Sequence, residues 1–225
     1  MIVLLLTMVA LLAQAPDDLA PGTRDAIAPV IEAIAAETER QAALPPPASD
    51  RERLERMGRL DQAGRWHIGE VDVSALPPEQ RGEAFEAIGR VMGRIDAENQ
   101  AALLTMIPEE GWFLRSRYGD EAATAAFRIV QHGDEELWRR FLPVLQPLVE
   151  SGEVAGESFA MMYDRLAISE GRPQRYGTQF VCVEDRWTLA PLENPDEVEA
   201  LRAEMDIAAP LSALVAHMEQ QPPCA

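Results

Sequence analysis

The chain has 225 residues, 47% of them hydrophobic, enough to pack a core for one ordinary domain with an appendage. Its net charge of −18 weighs against nucleic acid and anionic membrane surfaces as partners, because both bind through basic patches. All 20 basic residues are arginine, which excludes a Walker-type phosphate loop, a Schiff-base lysine and a lysine general base.

The first segment, "MIVLLLTMVALLAQA", is an apolar run followed by Ala13-Gln14-Ala15. It reads as a signal peptide over residues 1–15, although its start carries no basic residue. The run is too short to span a bilayer comfortably, so a periplasmic or secreted protein is expected, with no membrane insertion after cleavage. Residues 16–48 then give an alanine-rich helix interrupted at Pro29 and a stiff linker at Pro45-Pro46-Pro47.

A single α-rich domain is expected over 49–221. Asp50 is placed to cap a helix through "RERLERMGRLDQAGRW", and an extended piece is expected at Ile68 to Val73. From Pro78 the longest helix follows, with Phe85, Ile88, Met92, Ile95, Ala102 and Met106 as its apolar stripe and Asn99 on the same stripe. "DEAATAAFRIVQH" reads as a buried helix ended by Gly133, and Asp134 can cap the next. After "GESFAMMYDRLAIS" comes the one β signal, "TQFVCV" and "RWTLAPL" around Glu184-Asp185. Two short helices close the chain. The fold class is mainly α, multi-helix, with one β-hairpin near residues 178–191.

The residues suited to chemistry are few. His132 ends the buried helix after Gln131, where dipole and burial oppose each other, so it can act as an acid or base near neutral pH. Asp164 and Arg165 sit among apolar neighbours, as paired or cleft-edge charges do. Asp61, beside Gln62, precedes Arg65 by one helical turn and adjoins the buried stripe. Asn99 in a core seam needs partners. Gln174, Tyr176 and Gln179 crowd the glycine turn before the first strand. Asp61, Asp96 and His132 lack any HExxH or HxH spacing, and two cysteines without a CxxC pair exclude a zinc ribbon, so neither metal nor cofactor is expected. Cys182 and Cys224 could pair in an oxidising compartment.

In order, "DQAGR", Asn99 with Leu103 before Gly111-Trp112, "VQH", "YDR", "PQRYGTQ", "PLENPDEV" and Arg202 resemble the uncharacterised bacterial family catalogued as domain of unknown function 6624. The resemblance covers about Leu54 to Met218. Phe113 stands where that pattern has proline, and Met205 departs from it after Arg202. The resemblance implies no activity, but it makes the polar residues above one set.

That set frames a polar site for a small molecule, with His132 moving a proton and Asp164 or Asp61 orienting it. Hydrolysis is the least specific reaction class that this inventory fits. The alternative is a non-catalytic acidic module that captures a basic protein in the periplasm.

Overall fold

A computed structural model describes residues 19–221 and Cys224. The expected signal peptide lies outside the described residues. The chain is mainly α, with nine α-helices and a two-stranded antiparallel hairpin among the described residues. No helix among them is long and apolar enough to cross a membrane.

Packing divides the described residues into two compact units, one of 19–108 with 117–132, the other of 109–116 with 133–221 and Cys224. In the first, α1 (Pro21–Ala42) packs on α2 (Asp50–Ala63), on a 3-10 helix (Arg65–Glu70) and on α3 (Pro78–Leu104). Helix α1 runs straight through Pro29, the expected interruption, and begins at Pro21, whose missing N–H costs nothing in the first turn. Its Ile27, Val30, Ile31 and Ile34 join Ala84, Ala87, Ile88, Val91 and Ile95 of α3 in one core cluster.

Three expectations shift here. Ser49, not Asp50, caps α2, its hydroxyl accepting from the Glu52 N–H at 3.2 Å while Glu52 accepts from the Ala48 N–H at 2.8 Å. The piece expected to be extended at Ile68 is 3-10 helix to Glu70. Phe85 is 51% exposed, because the buried face of α3 runs through Ala84, Ala87, Ile88, Val91, Ile95, Asn99 and Leu103 instead.

The short α4 (Arg115–Tyr118) precedes α5 (Asp120–Gln131), which packs on α2 and α3. As its sequence suggests, α5 buries Ala122, Ala123, Ala125, Ala126, Phe127, Ile129 and Val130 and exposes Arg128. Gly58 of α2 faces it so closely that a β-carbon there would lie 2.5 Å from that of Ala125. This approach carries His132, the C-cap of α5, toward the end of α2.

In the second unit, Asp134 caps α6 (Glu135–Glu150) through the Leu137 N–H at 3.0 Å, and α6 packs on α7 (Gly156–Ser169). Trp112 and Phe113 are fully buried there, with the Trp112 ring tilted against Phe141 at a centroid distance of 5.3 Å. Strands β1 (Phe180–Val183) and β2 (Arg186–Leu189) pair as expected, turning through Glu184 and Asp185 at positive φ. Helices α8 (Val198–Glu204) and α9 (Leu211–Met218) follow, and a disulfide joins Cys182 of β1 to Cys224.

Candidate functional site

The sequence-predicted residues fall into two groups, one in each unit. The first gathers around Asp61 in the last turn of α2. Its side chain is sealed from solvent, so its charge must be met by donors. His132 Nδ1 lies 2.9 Å from Oδ1, the Gln62 amide donates to Oδ2 at 2.6 Å, and an Arg65 nitrogen lies 3.4 Å from Oδ1. Burial pushes the Asp61 carboxyl up. The hydrogen bond and charge of His132, with Arg65 and Gln62, outweigh burial and hold it below its ordinary value.

Arg65 also grips Asp96 of α3 with one nitrogen at 2.9 and 2.8 Å from the two carboxylate oxygens. Here burial dominates and raises Asp96 above the usual carboxylate value against the pull of Arg65. The near-repeat "MGRLD" and "MGRID" ends on these two aspartates, and the packed helices α2 and α3 bring both to one guanidinium. Asn99, one turn along α3 from Asp96, is buried and donates to the Met57 carbonyl at 3.3 Å, tying α3 to α2. Gln131 closes α5 beside His132.

Asp61 therefore fixes the imidazole. A carboxylate can only accept, so neutral His132 carries its proton on Nδ1 and presents Nε2 as a base. Among the described residues Nε2 has no hydrogen-bond partner, and the side chain retains 19% exposure. Asp61, Asp96 and His132 offer ligand atoms within 4.8 Å of one another, the geometry a metal would need. The Arg65 guanidinium already lies on both carboxylates and supplies the positive charge, so an ion would have to displace it.

The second group is built on Asp164 of α7, fully buried. One oxygen accepts from the Arg175 and Tyr176 N–H groups at 2.7 and 3.0 Å; the other accepts from Thr178 N–H and hydroxyl at 3.0 and 2.9 Å. Gln174 closes the same loop, donating to the Gln179 and Ala190 carbonyls and accepting from the Gln179 N–H at 2.8 Å. The Gln179 amide donates to the Thr178 hydroxyl at 3.0 Å. Arg202 of α8, 2% exposed, donates to the Tyr176 and Ala209 carbonyls at 2.9 and 2.5 Å. Arg165 lies 5.8 Å over the Trp138 ring, and burial lowers its pKa. Asp164 and Gln174 thus spend their hydrogen bonds on the shape of the 174–179 loop. Asp96 and Arg202 are the polar residues that sequence reasoning left out of the site. The pentapeptide repeat pointed to the first, and the family resemblance, which includes Arg202, pointed to the second.

A family model described as "Family of unknown function (DUF6624)" matches residues 48–221. The chain belongs to this family. No curated protein and no solved structure matches it. The span matched by DUF6624 holds both the Asp61 group and the Asp164 loop and leaves out α1.

The lowered pKa of Asp61 links this group to stability. Its contribution is present above the unfolded carboxylate value near 3.8 and is lost as pH falls through the lower folded value. Asp96, raised, works in the opposite sense, stabilising most in acid. We expect Asp61→Asn to lower stability at pH 7 by about 1–3 kcal/mol. The gap from wild type should narrow below about pH 4, read from urea midpoints across pH.

Proposed function

We propose that this protein is exported and acts as a hydrolase on a small molecule, with His132 as its general base and Asp61 orienting it. The observation that carries the reading is the 2.9 Å contact between a sealed carboxylate and Nδ1 of a histidine that stays partly open. Nε2 would take a proton from an attacking water. Asp61 would hold the ring in that tautomer and stabilise the imidazolium, which returns the proton to the leaving group. Arg65, permanently charged, keeps Asp61 and Asp96 in place beneath the imidazole. Asp164, with both oxygens committed to loop N–H groups, is assigned a positioning role in place of proton transfer.

Two features support export. The leading apolar segment ends in an A-x-A pattern, and the Cys182–Cys224 disulfide is of a kind that persists in oxidising compartments. Intact-mass measurement on protein expressed from the full sequence should give a chain starting at Pro16 and lighter by two hydrogens than the dithiol. A chain retaining Met1 with free thiols would contradict export.

For the activity, the mature protein is screened against chromogenic esters, amides, phosphates and glycosides. Turnover of one class is expected to fall at least about 100-fold in His132→Gln. Melting temperature should stay within a few degrees of wild type. Equal turnover in wild type and His132→Gln would remove His132 from the chemistry.

A further inference from the structure

The second unit carries a partly open cavity of about 570 Å³, within the range of small-molecule sites. Its wall carries Glu150, Glu157, Glu204 and Asp206 against one cation, Arg115. None of the four carboxylates has a side-chain hydrogen bond or ion pair among the described residues. In a chain with net charge −18 exposed acids are ordinary, so charge alone does not define a site.

Tyr176 is what distinguishes this wall. The residue is 5% exposed and lines the cavity, yet its hydroxyl has no hydrogen-bond partner among the described residues. Nor is that oxygen among the atoms sealed from solvent without a partner, so it keeps some open surface, and the Glu204 carboxylate of the same wall acts on it electrostatically. The loop that presents it is clamped by Asp164 and Arg202 through the backbone on either side, which leaves the phenol placed but unused. Burial keeps the phenol protonated well past neutral pH, so it offers a neutral oxygen lone pair.

The apolar part of the wall comes from Val149, Val154, Phe159 and Met205, and Gln146 also lines the space. Helices α6 and α8 both end at the cavity, and their C-terminal dipoles favour positive charge there. At Gly156 a β-carbon would meet the Met205 carbonyl at 2.5 Å, so α7 and the end of α8 close this wall by direct backbone approach.

From this geometry we infer that the cavity is a binding site for a small organic ammonium, a diamine or related amine, whose nitrogen donates to the Tyr176 hydroxyl and whose charge faces Glu204 and Asp206. The apolar wall takes the methylene chain. An inorganic divalent cation would use the carboxylates but leave the tyrosine, phenylalanine and methionine without a role.

Calorimetric titration of the mature protein with 1,4-diaminobutane at low ionic strength tests this, with calcium chloride as the comparison. Saturable binding is expected, weakened about tenfold by Tyr176→Phe. Glu204→Gln should weaken it about threefold. Tyr176→Phe removes only the unpartnered hydroxyl, so thermal melting should match wild type and separate lost binding from lost fold. Absence of binding would overturn the assignment. So would binding that neither variant changes, which would mean attraction to the acidic chain in general. Calcium binding as tight as the diamine and equally sensitive to Glu204→Gln but not to Tyr176→Phe would reassign the carboxylates to a metal.

Discussion

A carboxylate taken out of water keeps its charge only when donors replace the solvent, and each unit of this protein is organised around one such group. Asp61 and Asp164 are among the least exposed charged residues described. They are satisfied by different means. Backbone N–H groups of the 175–178 loop meet Asp164, and a peptide N–H cannot give up its proton. Side chains meet Asp61, one of them an imidazole that can both lose and gain a proton. That difference in donor makes one carboxylate a loop clamp and leaves the other paired with a titratable side chain.

Helix packing delivers the donors. Gly58 lets α5 close onto α2, which brings the C-cap of α5 to Asp61. Arg65, just past the end of α2, spans from Asp61 to Asp96 on α3, so three elements are fixed by one buried charge. With lysine absent from the chain, every cation available to such a network is permanently ionised, and histidine alone can change its charge near neutral pH.

Much of this was legible in the residues themselves. Helix α5 announced its burial by being apolar on most of its surface, Arg128 apart, and the Glu184-Asp185 turn announced the hairpin. Asn99 in an apolar seam announced a buried amide in need of a partner. Where the reading failed, a competing local preference had won. Ser49 displaced Asp50 as cap because Glu52 stands three residues after it, and Phe85 lost the core to the smaller Ala84 and Ala87 against α1. Long-range pairing was the harder matter. No spacing rule links Asp61 to His132, 71 positions on, or tells that Asp164 would be consumed by its own loop. Such partners are fixed by packing, which the local pattern does not encode.

Asp61 holds His132 with its proton on Nδ1 and leaves the Nε2 lone pair open. Long-range nitrogen–proton correlation NMR on uniformly labelled protein reads that tautomer directly for each of the three histidines. In the neutral ring of wild-type His132 the proton is expected on Nδ1, with this preference relaxed in Asp61→Asn. A neutral His132 protonated at Nε2 in the wild type would contradict it.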